Sequence, residues 1–376
     1  MADQFPIHPI GRFYGASQPV KRPKEFACFS YDDNHEFHLG DSSMRWYYNP
    51  PIGADLSQGY DQFIKHDDSK DEHLVSLLKT IKAHEEETGK KIDAHIITWR
   101  GMMTKIMSCP FDDRDGFEMN ATLYQDAIYI EENHECKEMT RRQQNAQQRR
   151  GPFPAEVMQF WGYKFETLAT LPAPWGETPR EDIENRVNEV VNNNAQYCSV
   201  VRTGIGNSVI CIGGEVDAIW DSKPPQPGAP INWVELKTSA EIRHERDSDN
   251  FNRKLLKFWI QSFLLGVPRI IVGFRSQQGI LTRVQEYETA TIPDLVARTP
   301  KPAWNGDMCV NFAAEFLTWL RQTINDDGVW RIRRRPASPV IEVFRMEEAG
   351  HGDILTDEFI NWRIKLSLGP PPPLDP

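Results

Sequence analysis

Two strongly apolar segments, residues 208–220 and 231–238, carry charges that an ordinary buried strand would not hold: Glu215 and Asp217 in the first, Glu235 and Lys237 in the second. Side chains alternate faces along a strand, so Glu215 and Asp217 are expected on one face. Glu235 and Lys237 share a face in the same way, with Leu236 turned into the opposite layer. Pairing of the two strands would gather three carboxylates and one ammonium among Val216, Ile219, Trp233, Val234 and Leu236. Like charges packed in an apolar setting need a counter-charge; without one their pKa values rise or the site comes apart. A divalent cation meets that need, and an all-oxygen ligand set selects Mg²⁺ or Mn²⁺ over zinc. Lys237 would then stabilise charge developing on a phosphate or orient the attacking water, while two metal ions activate that water and neutralise the leaving oxygen. The bland alternative is a solvated strand face with an i,i+2 Glu/Lys pair, and the GEVD segment in a second apolar strand weighs against it.

Periodicity over the rest of the chain alternates between strands and helices without an internal repeat. Residues 25–49 read as short aromatic-rich strands and 72–88 as an amphipathic helix closed by Gly89. Strands are expected at 94–108, 116–123 and 126–131, arranged as a β-meander. Residues 137–150 are polar and basic, with Arg141, Arg142, Arg149 and Arg150. Pro154 is placed to open a helix bearing Val157, Phe160, Trp161 and Phe165 as far as about Thr170. A loop over 171–179 precedes a helix over 181–194. Strands follow at 196–203, 208–220 and 231–238, with Gly206-Asn207 as a tight hairpin turn and 222–230 as a Pro-rich loop. A helix to Leu265 stops at Gly266, strands span 269–275 and 280–288, a helix spans 307–325, and short strands at 329–333 and 340–345 close the fold. The tail 368–376, with Pro370–Pro373, is expected to be flexible or polyproline-like. Apolar patterning continues without a break, which describes one α/β domain of mixed sheets spanning 1–376; two domains meeting near residue 150 are the alternative.

With 376 residues, 39% hydrophobic and 26% charged, the chain can bury a large core. No apolar run approaches the ~18 residues of a membrane span, and the first residues lack the basic-then-apolar pattern of a secretory leader. The six cysteines are scattered without a CxxC pair, so neither a disulfide framework nor a thiolate zinc site is expected, and a reducing intracellular compartment fits. The net charge of −11 argues against a protein that coats nucleic acid non-specifically, because phosphate neutralisation supplies most of such binding. It leaves room for an enzyme that handles one end of a nucleic acid with metal ions and a few basic side chains.

Six motifs occur in order: Trp99-Arg100-Gly101, GYKFE (162–166), GEVDAIW (214–220), ELKTS (235–239), KLLKFWIQSF (254–263) and VGFR (272–275). Each is weak alone. Together they resemble the DXO decapping family, and more narrowly its fungal branch that accompanies the nuclear 5′→3′ exoribonuclease. The resemblance covers roughly residues 10–345. It implies one domain of two twisted, mostly antiparallel sheets with helices outside and the active site in the cleft between them. The implied activity is removal of abnormal RNA 5′ ends, namely a triphosphate as pyrophosphate, an unmethylated or incomplete guanosine cap, or an NAD cap, leaving a 5′-monophosphate in the nucleus. Carried over by motif, Glu166, Glu215, Asp217, Glu235 and the Leu236 carbonyl would bind Mg²⁺. Lys237 and Gln261 would meet the scissile phosphate or the nucleophilic water, and Arg100 would hold RNA phosphate.

Other patterns are set aside. His35-Glu36-Phe37-His38 lacks helical HExxH spacing and reads as a strand surface. Residues 66–72 read as a helix-entry loop, and Asp112-Asp113-Arg114-Asp115-Gly116 as a hairpin turn. Arg331–Arg335 reads equally as a solvated strand end or as a segment that attracts RNA or serves as a nuclear import signal, and Trp175 as core-packed, with a partner surface as the lesser reading. Two rivals to the hydrolase remain: a stabilising partner of the exoribonuclease whose pocket is incidental, and a general restriction-like nuclease.

Overall fold

The protein, seen in a computed structural model that describes residues 2–147 and 153–369, is built on two mixed sheets. The ten-stranded sheet runs, edge to edge, β1 (Asp3–Pro6), β16 (Val340–Glu347), β15 (Val329–Arg334), β6 (Phe117–Tyr124), β7 (Ala127–Glu132), β5 (Ile96–Trp99), β10 (Ser208–Glu215), β9 (Gln196–Ile205), β2 (Val20–Tyr31) and β3 (Phe37–Leu39). The six-stranded sheet runs β14 (Leu281–Glu288), β13 (Arg269–Arg275), β12 (Trp233–Ala240), β11 (Ala218–Ile219), β4 (Trp46–Tyr47) and β8 (Thr170–Leu171). Pairing is mostly antiparallel; β5 lies parallel to β7 and β10, β12 to β13, and β11 to β4. Both sheets take strands from either side of residue 150.

Strand alternation divides the core. In the ten-stranded sheet Ile96, Ile128, Ile130, Ile210 and Ile212 face the cluster that also holds Ile270, Val272 and Phe274 of the six-stranded sheet. Their neighbours Ile97, Tyr129 and Cys211 face the opposite side, under α1 (Val75–Thr88). In the six-stranded sheet Val234, Leu236 and Ile271 turn outward onto Phe160, Trp161 and Phe165. The first cluster is filled by α2 (Arg100–Ser108), a long α6 (Glu245–Leu265) and α8 (Gly306–Thr323). The remaining helices are α3 (His134–Gln147), α4 (Ala155–Leu168), α5 (Arg180–Asn185), α7 (Ile292–Ala297) and α9 (Asp357–Leu368). No helix among the described residues is long and apolar enough to cross a membrane.

Several local expectations need correction. Residues 94–108 are not one strand: β5 ends at Trp99 and α2 begins at Arg100. Met102, Met103, Ile106 and Met107 are all buried, a helical stripe hidden within an apolar run. The expected meander therefore gives way to β5 inserted between β7 and β10. The helix expected over 181–194 stops early at Asn185 with a single 3₁₀ turn after it. The asparagines beyond it use their side chains on nearby backbone, as Asn192 Oδ1 does for the Asn194 N–H at 3.0 Å, an alternative that competes with helix. Asp112–Gly116 links α2 to β6 rather than turning a hairpin, and Asp112 pairs with Lys257 of α6 at 2.7 Å. Arg334 is buried and donates to the Asp112 carbonyl rather than ending a solvated strand. Trp175 is 66% exposed, not core-packed. Arg149, Arg150 and Pro370–Pro373 lie outside the described residues.

Helix α9 escaped the pattern because its buried side chains are Phe359 and the charged Arg363. Arg363 donates to Glu85 Oε2 of α1 at 2.7 Å, with both side chains almost wholly buried. Glu85 also accepts from Trp362 Nε1 at 3.0 Å and from the Ile92 N–H at 2.8 Å. Removing one member of such a pair strands the other in the core. Glu85→Ala should therefore destabilise the protein by about 3–5 kcal/mol in urea unfolding, with Glu85→Ala/Arg363→Met recovering much of the loss. Equal loss in the single and double variants would contradict this account of α9 docking.

Candidate active site

The chain between the two apolar segments crosses from one sheet to the other. β10 ends with Glu215 paired to Cys198 in the ten-stranded sheet, and β11 begins with Ala218 paired to Val234 in the six-stranded sheet. Glu215 and Asp217 are thus not two positions on one face of one strand, as alternation suggested. They flank the crossing, and their convergence comes from it. Just before the short β11 begins, the Asp217 carboxylate takes the place of a ladder partner: its Oδ2 accepts the Leu236 N–H at 2.6 Å. The Leu236 carbonyl lies on the same edge of β12 as that N–H and opens toward Asp217, while the Leu236 side chain packs outward as expected.

Glu235 is fully buried at the centre of this arrangement. Its Oε1 lies 2.6 Å from Lys237 Nζ, and its Oε2 lies 3.2 Å from Arg100 Nη1. The same Arg100 nitrogen donates to the Glu215 carbonyl at 3.0 Å. Arg100 opens α2 directly after β5, beside Gly214 of β10. A Cβ on Gly214 would come within 2.9 Å of both Arg100 Cβ and Leu265 Cδ1, so glycine permits the approach. Glu166 comes from the last turn of α4, which is seated by Phe165 against Gly273; a Cβ there would stand 2.4 Å from the ring. Gln261 lies on α6 three residues beyond Phe258, whose ring sits 5.9 Å from Lys237 Nζ. It is half-buried and has no side-chain hydrogen bond among the described residues. Glu166, Glu215 and Asp217 share a cleft of about 510 Å³ with Tyr163, Thr167 and Asn193, which charge and strand patterns did not point to. Tyr163 was legible only as the residue one helical turn before Glu166.

Burial, followed by the charges of Asp217 and Glu215, pushes the Glu166 carboxyl well above its usual range. Burial likewise raises Glu215, against the pull of Arg100, and pushes Asp217 up to about 8, with Glu235 adding to the rise. Glu235 is the exception. Burial works to raise it, but Lys237 and Arg100 together hold it below the usual carboxylate range. Both cations are themselves raised, burial being overcome chiefly by Glu235. Two cations against four carboxylates leave the cluster short of positive charge.

The donor set suits a hard divalent ion, since it is all oxygen. Glu235 Oε1, though in contact with Lys237, receives no well-directed hydrogen bond and is a buried oxygen without a partner of its own. The carboxylates nevertheless do not close into a tight cage. Among the described residues the sets of three ligand atoms within 4.8 Å of one another are His35–His66–Glu72 and Asp32–Glu36–His38. Arg100 and Lys237 occupy the role of counter-ion to Glu235.

Residues 21–360 match the family described as RAI1 like PD-(D/E)XK nuclease. The chain is 70% identical over 373 residues to Decapping nuclease RAI1 of Gibberella zeae, covering 98% of this chain and 99% of the relative. Its fold is similar to that of Candida albicans Rai1 in complex with pU5-Mn²⁺, with a TM-score of 0.90 and 32% identity over 97% of this chain and 100% of that one. It is also similar to Scheffersomyces stipitis Rai1 in complex with (3′-NADP)⁺ and calcium ion, with a TM-score of 0.86 and 30% identity over 93% and 98% of the two chains.

Because Asp217 holds its proton from the ordinary 3.8 up to about 8, the folded chain binds more protons than the unfolded one across that window. Stability of the metal-free protein should fall as pH rises through it, by at most about 1.4 kcal/mol per pH unit for each proton held. Asp217→Asn should flatten that slope. Mn²⁺ should raise the thermal midpoint of the wild type, more strongly at higher pH, and do little for the variant. A midpoint indifferent to both pH and Mn²⁺ would count against a metal-binding carboxylate cluster.

Proposed function

This chain belongs to the RAI1-like PD-(D/E)XK nuclease family and is a metal-dependent hydrolase of RNA 5′ ends, and on that premise we propose how its residues act and on what. The observation that carries the reading is the buried excess of carboxylates at the crossing between the sheets, partly balanced by Arg100 and Lys237. Glu166, Glu215, Asp217 and Glu235, with the Leu236 carbonyl, would hold Mg²⁺, and two ions are proposed. When bound, the metal supplies charge neutralisation at the phosphate and a water acidic enough to attack near neutral pH.

The chain's own groups define the rest. Lys237 is kept protonated by Glu235 and offers its ammonium to charge developing on the phosphate. Arg100 is held at the N-terminus of α2 by Glu235 and the Glu215 carbonyl, which fixes a planar donor where a phosphate oxygen would lie. Gln261, free of protein partners among the described residues, can orient the attacking water. Burial of Glu235 strengthens its contacts with Lys237 and Arg100. The substrates proposed are 5′-triphosphate RNA, cleaved to pyrophosphate and 5′-monophosphate RNA, and RNA with an unmethylated, incomplete or NAD cap. That a relative was solved with pU5-Mn²⁺ and another with (3′-NADP)⁺ supports this range. The acidic net charge of −11 favours action at an RNA end over coating of its length.

We further propose that the protein, acting as one domain, works in the nucleus beside a 5′→3′ exoribonuclease that consumes its 5′-monophosphate product. The exposed Trp175 supports a protein-binding surface. A role as stabilising partner alone is disfavoured, since a scaffold has no use for buried like charges.

Asp217→Asn and Glu235→Gln should each lower pyrophosphate release from 5′-triphosphate RNA by at least about a hundredfold with Mg²⁺ present, and leave the far-ultraviolet circular dichroism unchanged. Undiminished release by both would remove the assignment. Trp175→Ala should keep full release yet lose at least about tenfold in exoribonuclease affinity; unchanged binding would move the partner surface elsewhere. Duplex DNA offered in parallel should be cut far more slowly than the RNA end is processed.

A further inference from the structure

Among the described residues, the close groupings of three ligand side chains lie outside the carboxylate cluster, in segments whose motifs pointed to no chemistry. His35 sits in the turn after β2, and His66 and Glu72 in the loop before α1. Their ligand atoms fall within 4.8 Å of one another. We propose that His35, His66 and Glu72 form a second metal site, chemically distinct from the catalytic carboxylates, that takes a borderline ion of the Zn²⁺ class.

The tautomers carry the argument. His35 Nδ1 lies 3.0 Å from the Asn194 carbonyl oxygen, which can only accept, so Nδ1 bears the proton. His66 Nδ1 faces the side-chain oxygen of the same residue, Asn194 Oδ1, at 3.3 Å. One asparagine thereby orients both rings, the arrangement by which metal-bound imidazoles are fixed through their second nitrogen. Both Nε2 atoms then lie near a single carboxylate oxygen: Glu72 Oε1 is 2.9 Å from His35 Nε2 and 3.6 Å from His66 Nε2. In neutral rings these Nε2 lone pairs would face the carboxylate lone pairs. A proton on His35 relieves one such contact; a metal ion relieves all of them at once. Ligands 2.0–2.1 Å from a tetrahedral zinc stand about 3.3 Å apart, a value the two observed separations bracket.

Donor chemistry sorts the ions. Two imidazoles and one carboxylate suit Zn²⁺, whereas the all-oxygen catalytic cluster suits Mg²⁺ or Mn²⁺. A fourth position opens into a cavity of about 260 Å³ walled by Trp99, His73, Glu131 and Lys137, with room for water. The ion would tie together the 32–36 turn, the 64–73 loop and the 192–194 loop. Asp33, Asn34, Ile64, Asn192 and Asn193 of these same segments line the active-site cleft, so the metal would fasten its rim. His35 adopts a left-handed φ of 62°, which asparagine tolerates, giving a substitution that removes the ligand and keeps the turn.

The test is calorimetric titration of the full chain with Zn²⁺, and with Co²⁺ for its absorption bands, in excess Mg²⁺. The wild type and Asp217→Asn/Glu235→Gln should each bind one ion per chain. His35→Asn and His66→Gln should lose that binding, and Asn194→Ala should weaken it by about 10–100-fold. A retained Mn²⁺-dependent rise in thermal midpoint shows that the histidine variants are folded. Absence of stoichiometric binding to the wild type overturns the proposal and leaves an ordinary His35–Glu72 ion pair. Binding that survives both histidine substitutions, or that disappears in Asp217→Asn/Glu235→Gln, overturns it equally by placing the ion at Asp32–Glu36–His38 or in the catalytic cluster.

Discussion

Arg100 joins the two sheets where they would otherwise repel. Its guanidinium bonds the carbonyl that ends β10 and the carboxylate buried in β12, so one cation neutralises the site and holds its halves in register. Guanidinium suits the task because it stays charged under burial and presents several donors in one plane. Around it the backbone has been cleared: glycine at 214 lets α2 start against β10. Losing the arginine would leave Glu235 with a single cation in a core that cannot solvate it.

That dependence explains the protonation pattern. Glu235, touched by both cations, is held ionised, while Glu166, Glu215 and Asp217 are pushed toward their neutral forms. Protein cations alone therefore satisfy one acid and leave three in deficit. A divalent ion is what completes the charge balance, and its affinity is tied to proton release. Stability and activity are opposed here: the residues that make the site chemically useful weaken the fold that carries them.

The proposed histidine site shows a different solution to the same problem of convergent ligands. There the acceptor atoms of Asn194 set the ring tautomers in advance, and the ligand atoms already sit close to one another. Two of the site's three donors are imidazole nitrogens, which add no negative charge to the cluster, whereas every donor of the catalytic set is an oxygen.

The sequence by itself determined the elements whose period was unambiguous. α6 with its Gly266 stop, the Gly206 hairpin and the alternation that sends Leu236 outward all follow from local spacing. It also marked Glu235 and Lys237 as one face of a strand, because a period of two needs no partner to be read. It misread 94–108, since a helical stripe of methionines inside an apolar run is indistinguishable from a strand until something packs on it. It missed α9, whose anchor is a buried charge rather than an apolar face. Glu215 and Asp217 were recognised as ligand candidates for the wrong geometric reason, and the tertiary structure replaced a shared strand face with a crossing between sheets. His35 is distant in the chain from His66 and Glu72, and the three carry no spacing signal of a known ligand motif. Only the folding of the 32–36 turn and the 64–73 loop onto Asn194 brought them together, because a ligand set drawn from separate segments exists nowhere in local sequence.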